Sequence, residues 1–243
     1  MNCLSVSHQE SSLGPRHFSP ASRSLSDIRS SLKIRGWAEI PPNPNLVALL
    51  PDVLMEIGNA LGIPVAPQGR ALVQSLVPTA ATEARVASMS AKYGLGQQPW
   101  HIDLAHWPVP ARYILFGCES PGNSSAATEL TRCSALFRIS VDLNAASTHP
   151  YLVRNGRESF YSTLLDKHRP FARLDPGCMD PRSDAARKLQ TRIQSFRPES
   201  TMEIRWKLGA ILIVDNWKVA HRRLDATHAT DRRLLRVSVM ERV

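Results

Sequence analysis

Long apolar runs are missing from this 243-residue chain. No stretch reaches the roughly 20 consecutive apolar residues of a membrane-crossing helix, so a membrane protein is not expected. The N-terminal stretch, rich in Ser and poor in acids, lacks the apolar segment of a secretory signal, and the expected location is the cytoplasm. Cysteine is scarce. Cys3, Cys118, Cys133 and Cys178 form no CxxC pair, which argues against both a zinc ribbon and a disulfide framework. Aromatic residues are 6% of the chain and few fall between the arginines, so the basic charge does not read as a nucleic-acid track. Acids are outnumbered by 30 Lys and Arg to 21 Asp and Glu, leaving a net charge of +9. That excess is local: residues 151–243 hold 19 basic against 11 acidic side chains, and residues 1–150 hold 11 against 10. Attraction of small anions into a cleft is the functional class this favours.

With 43% hydrophobic and 21% charged residues, the composition is that of a soluble globular protein. Residues 1–36 read as a flexible leader, ending in a segment, 28–32, that could begin a short helix, and 37–243 as one domain. Leu46 to Leu61 repeats apolar residues at helical spacing, with Pro51 near its start and Gly62 at its end. Ser183 to Phe196 reads as a second helix capped by Ser183. Most of the rest is short apolar runs bounded by Pro, Gly or Ser, among them 36–40, 70–77, 112–118 and 135–139. Asn155-Gly156 predicts a hairpin turn between 151–154 and 157–161. The expected class is mainly β with flanking helices, a β-sandwich or jelly roll.

Three fragments carry chemistry. His101 and Asp103, two apart in an extended segment, project to the same side, so an imidazole and a carboxylate can reach one ion. The apolar run 210–214 reads as a buried strand, followed by Asp215-Asn216 and a turn bearing His221. Two histidines and one carboxylate form the facial set that holds non-haem Fe(II) while leaving positions open. Beyond a polar loop, Arg232, Leu234 and Arg236 fall on one face of a return strand, and a guanidinium there can grip a carboxylate with paired hydrogen bonds.

With His101-Ile102-Asp103, Asn216-Trp217 leading to His221, Arg232-x-x-x-Arg236 and Pro108-x-Pro110-x-Arg112-Tyr113, the chain resembles the taurine dioxygenase/clavaminate synthase-like Fe(II)- and 2-oxoglutarate-dependent oxygenases over residues 45–240. The resemblance implies a double-stranded β-helix (cupin-like jelly roll) with His101, Asp103 and His221 on iron. It implies Arg232 and Thr128 on the distal carboxylate of the cosubstrate 2-oxoglutarate, and Arg236 on an anionic group of the substrate. His106 and Trp107 are candidates for the pocket lining. The implied reaction consumes O2, releases succinate and CO2, and hydroxylates or otherwise oxidises a C–H bond. A small anionic or zwitterionic molecule, such as an amino acid or secondary-metabolite intermediate, is the expected substrate. Ala126-Ala127 stands where the family has a glycine pair before its threonine, and the 120 residues from His101 to His221 leave little room for a lid. Asp at 103, where halogenases have Gly, counts against chloride transfer.

Blander readings accompany these. His228 sits in the polar loop and reads as exposed, Arg233 as surface, and Cys118 and Cys133 as small core residues. His149 and His168 are isolated, and the loop 175–179 is free to approach the site without chemistry that demands it. A jelly roll that binds without turnover and an oxygenase acting on nucleic acid are the alternative functions.

Overall fold

Side chains alternate between the two faces of a strand, so a strand covered on both sides must be apolar throughout. Ile211–Asp215 is such a strand, buried at every position. The protein is described here by a computed structural model covering residues 24–86, 88–122, 126–137 and 140–242. Its large antiparallel sheet contains β1 (Trp37–Ile40), β2 (Ile63–Val65), β3 (Val73–Leu76), β4 (Tyr113–Ser120), β10 (Ile211–Asp215) and β12 (Arg233–Met240). The order is β1-β10-β4-β12-β2, with β3 also on β12. A three-stranded sheet, β11-β5-β9, is made from β5 (Thr128–Arg132), β9 (Met202–Ile204) and β11 (Val219–Arg223). A third sheet joins β6 (Tyr151–Asn155), β7 (Glu158–Ser162) and β8 (Met179–Pro181). The helices are α1 (Leu25–Ile34), α2 (Leu50–Leu61), α3 (Met89–Tyr93), α4 (Cys133–Leu136), α5 (Ser140–Thr148) and α6 (Asp184–Ser195).

The large sheet is covered on both sides. Leu115, Ile211, Ile213, Leu235, Val237 and Val239 meet Ile28 and Leu32 of α1 and Leu50, Val53, Leu54 and Ile57 of α2. Each such side chain contributes about 1.5–3 kcal/mol by leaving water. Helix α2 lies so close to β4 that a Cβ at Gly117 would sit 3.1 Å from Leu54 Cδ1 and 3.2 Å from Leu50 Cδ2. The opposite face offers Ile114, Phe116, Leu212, Val214 and Leu234 to Leu130 and Val219 of the smaller sheet. This inner layer is the jelly-roll interior, and the site opens from it. A further cluster packs Trp100 and Ile102 against Leu136, Tyr151, Leu189 and Ile193.

Several sequence expectations are met. The helix expected from Leu46 starts as a 3-10 turn over Pro44–Leu49 and becomes α2 at Leu50, with Pro51 in the first turn, where a missing N–H costs least. Ser183 caps α6 by accepting from the Ala186 N–H, and Gly156 takes φ +63° in the β6–β7 turn.

Others are corrected. Within the stretch expected to be a loose leader, Leu25–Ile34 is helical. Ser24 forms a capping box with Asp27, and Ile28 and Leu32 are buried; residues 1–23 lie outside the description. The segment 28–32, expected to be able to begin a short helix, lies inside it, and the capping box sets the start three residues earlier. The run 135–139, expected to be extended, opens inside α4, with Arg138 and Ile139 outside the described residues. Short apolar runs carry too little periodicity to separate strand from helix. His221 lies within β11 rather than in a turn, because Asp215–Lys218 already makes the reversal, closed by Lys218 N donating to Asp215 O at 2.9 Å.

Candidate metal centre

His101 and His221 meet through their backbones. Each N–H donates to the other's carbonyl, at 3.0 and 2.9 Å. That bridge brings the rings together, tilted by 56° with centroids 4.5 Å apart, and both Nε2 atoms lie 3.8 Å from the same Asp103 oxygen, Oδ1. All three residues are buried, and their ligand atoms lie within 4.8 Å of one another. His228, the rival ligand, is exposed and outside this group.

The donor set suits a divalent ion. His101 Nδ1 lies 2.9 Å from Pro99 O, which places the proton there and leaves the Nε2 lone pair facing Asp103. Burial, reinforced by a charge on His221, lowers the His101 pKa to about 4, so the ring is neutral and able to ligate at neutral pH. Burial pushes the Asp103 carboxyl up, but the Arg236 guanidinium and the two imidazoles outweigh it and hold the group well below the usual carboxylate range. His221 Nδ1 is buried without a hydrogen-bond partner.

Asp103 does not continue a strand from His101. It enters a turn whose next residue, Leu104, has φ 57°, a conformation uncommon outside glycine. Asn216 holds that turn. Its Oδ1 accepts from Asp103 N at 2.8 Å, and its Nδ2 donates to Asp103 O at 2.9 Å and Ala111 O at 2.8 Å. Beside it, Trp217 Nε1 donates to Pro110 O at 2.9 Å and Arg112 stacks over the Trp217 ring. The two motifs quoted from opposite halves of the sequence are therefore one hydrogen-bonded unit.

Arg236 donates through Nη1 to Asp103 Oδ2 at 2.9 Å and through Nη2 to Gln74 Oε1 at 2.7 Å. It is engaged inside the protein, whereas the sequence pointed it at a substrate anion. Arg232 is buried just ahead of β12, donates to Ala126 O at 2.6 Å, and leaves Nε unpartnered. Among the described residues no carboxylate lies within ion-pair distance of it. Burial, with Arg223 nearby, lowers its pKa to about 10. Thr128 is buried in β5 and accepts from Trp206 Nε1 at 3.0 Å. Arg233 is exposed and paired with Glu119, in keeping with the surface position expected of it.

Trp107 is half-buried at the rim beside His106. Arg173, unread in the sequence, holds this rim by donating to the carbonyls of Ala105, of Trp107 at 2.6 Å and of Pro108 at 2.8 Å. The loop 175–179 does approach: Leu174, which leads into it, accepts from Ile102 N at 2.8 Å, and Asp175 lies close enough to feel the Asp103 charge. Burial, with a smaller contribution from the Asp103 charge, raises the Asp175 carboxyl to about 6. The partners of Arg173 are backbone carbonyls, which leave no residue pattern. The proximity of Asp175 is a product of the fold.

The family model described as taurine catabolism dioxygenase TauD, TfdA family, matches residues 138–238, the stretch bearing His221, Arg232 and Arg236. No curated protein matches the chain. Solved structures share the fold. An asparagine oxygenase, in complex with Fe(II), 2S,3S-3-hydroxyasparagine and succinate, superposes with a TM-score of 0.72 at 18% identity, over 89% of this chain and 78% of its own. The non-heme iron oxygenase OrfP, in complex with Fe, succinate and (3S)-hydroxy-L-Arg, gives 0.66 at 18% identity over 90% and 81%. PvcB, an Fe, alpha-ketoglutarate dependent oxygenase from an isonitrile synthetic pathway, gives 0.65 at 16% identity over 89% and 80%.

Proposed function

We propose that the protein is an Fe(II)- and 2-oxoglutarate-dependent dioxygenase that hydroxylates a small molecule with an amino-acid-like, zwitterionic character. The observation that carries this reading is the buried His101–Asp103–His221 group, with both Nε2 atoms 3.8 Å from one carboxylate oxygen. The double-stranded β-helix fold and the match of residues 138–238 to an oxygenase family support it.

His101 Nε2, His221 Nε2 and Asp103 Oδ1 would hold the iron. When bound, iron with 2-oxoglutarate and O2 supplies the oxidising power, with succinate and CO2 as co-products. The chain's own residues bind, aim and exclude. Arg236 takes Oδ2 of Asp103, keeping the carboxylate in one rotamer with Oδ1 toward the imidazoles. Asn216 fixes the backbone on which that carboxylate stands. Arg232, buried without a carboxylate partner among the described residues, would pair with the distal carboxylate of 2-oxoglutarate, and Thr128 would assist it. Phe116, 5.7 Å from the His221 ring, and Trp206 form the apolar wall that keeps water out. Trp107 and His106 would line the substrate side, with Asp175 and Arg173 behind them. Arg236 is better read as positioning Asp103 than as gripping substrate. No described helix is long and apolar enough to cross a membrane, and the cytoplasm is the proposed location.

The test is anaerobic titration with Fe(II) and then 2-oxoglutarate, followed through the weak visible charge-transfer band, with succinate measured after admission of air. The expected result is a band in wild type and none in His101→Ala. Wild type that forms no band, or a variant that forms it unchanged, refutes the reading. A band without any succinate would leave a binding protein in place of an enzyme.

A further inference from the structure

Arg223 is a buried charge to which neither the resemblance nor the metal centre assigns a task. It closes β11, two residues beyond His221, and pairs in register with Thr128 of β5, as His221 pairs with Leu130. Directly opposed residues in an antiparallel pair project to one face, and so do residues two apart in a strand. Arg223, Thr128, His221 and Leu130 therefore share the inner face, and Leu130 is packed in the jelly-roll interior. Arg222, between them, points the other way, to Glu129 at 2.7 Å and the Trp100 ring. The face that carries the metal ligand thus carries an arginine one pleat further on.

Its electrostatics are unusual. Arg223 is 7% exposed and Arg232 is 5% exposed, and among the described residues neither has a carboxylate within ion-pair distance. Each guanidinium has an Nε buried without a partner. Arg232 feels the charge of Arg223, while the acid acting on Arg223 is the exposed Asp225. Two buried like charges without counter-charge cost free energy unless an anion joins them. Arg223 also fastens a segment. Its Nη2 donates to Gly94 O and Gly96 O, both at 2.7 Å, and its carbonyl accepts from Gln98 N at 2.9 Å. That segment follows α3, whose Lys92 donates to Gly177 O at 2.7 Å in the loop of Asp175.

We propose that Arg223 is a second cation of the cosubstrate pocket, adding to the hold of Arg232 on 2-oxoglutarate and fastening Gly94–Gln98 against that pocket. This rests on the oxygenase reading above. Arg232 supplies a direct grip on the distal carboxylate. Arg223 supplies potential from one pleat away and keeps the wall in place, so it acts as a positioning residue.

The full chain, loaded anaerobically with Fe(II), is titrated with 2-oxoglutarate for wild type, Arg223→Lys, Arg223→Gln and Arg223→Leu, with circular-dichroism melts to show which variants fold. Loss of the charge should weaken 2-oxoglutarate about tenfold or more in the Gln and Leu variants. Lysine keeps the charge but cannot span both carbonyls. Arg223→Lys should therefore retain most of the affinity while trypsin cuts faster after Lys92. Fe(II) affinity should stay at the wild-type level in every folded variant. If Leu fails to fold, the Gln and Lys pair decides. Arg223→Gln binding 2-oxoglutarate as tightly as wild type overturns the proposal and leaves only a clamp. A wild type that binds no 2-oxoglutarate overturns the oxygenase reading, and this inference with it.

Discussion

Asp103 serves two masters through two oxygens: Oδ1 faces the imidazoles and Oδ2 accepts from Arg236. Removing the guanidinium leaves a buried carboxylate without its strongest partner, at a cost of about 3–5 kcal/mol in the metal-free protein. Arg236→Leu is therefore expected to lower the unfolding midpoint and to weaken Fe(II) as well, because Oδ1 is no longer held toward the histidines. A substrate-binding arginine would instead raise KM and leave metal affinity alone; that outcome, measured by metal titration of the variant, restores the role expected from sequence. At this scale the cluster of His101, Asp103 and His221 was legible, because His-x-Asp is a local pattern and His221 follows a buried apolar run. The supporting shell was not. Gln74, Arg173 and Arg223 meet an arginine or backbone carbonyls 65 to 162 residues away, so their roles exist only after folding.

Helix α2 is the element that seals the outer face of the large sheet. Leu54 is fully buried there, against the strand that carries Gly117. Leu54→Ala should cost about 2–5 kcal/mol by opening a cavity, read as a lower midpoint in urea. Fe(II) affinity should stay at the wild-type value, because the ligands lie on the other side of β4 and β12. A parallel fall in metal affinity would show that the outer layer also sets the geometry of the site. Elements with long periodicity or explicit punctuation were legible: α2 with Pro51, α6 with Ser183, the hairpin at Asn155-Gly156. Short ones were not. Of helix α1 only the stretch 28–32 showed in the sequence, its start being set by the capping box, and α4 holds four residues in a run that reads equally well as extended.

Across the whole molecule, two buried titrations oppose each other in mild acid. Asp175, raised to about 6, binds its proton more tightly in the native state than in the unfolded chain, where a carboxyl titrates near 4. Its contribution is fully present below about pH 4 and is lost as pH rises through 6. His101, lowered to about 4, works in the other direction: unfolded histidine takes its proton near 6.5, so stability is lost as pH falls from there toward 4. Wild-type metal-free protein should thus show a muted slope across this window. Asp175→Asn removes the first effect, so the variant's stability should climb more steeply from pH 4 to 6, by up to about 3 kcal/mol relative to wild type. Urea melts at half-unit pH steps measure this, and identical slopes for the two proteins would refute it. The jelly-roll class was legible at this scale because turn residues bound nearly every apolar run. The pairing order of the strands was not, since β1 and β10 are neighbours across more than 170 residues of chain.

The backbone bridge between His101 and His221 has a consequence for how the protein would acquire the proposed metal. These residues close a loop of 120 residues, and drawing its ends together costs about 4 kcal/mol of chain entropy beyond a constant term. A chain still emerging during synthesis holds His101 and Asp103 long before His221 exists, and two ligands on a mobile segment retain an ion poorly. On the proposed reading, iron would therefore arrive after the ends of that loop have met. Once there it would act as a staple across that 120-residue excursion, stabilising the assembled protein in proportion to how much more weakly the open chain binds it.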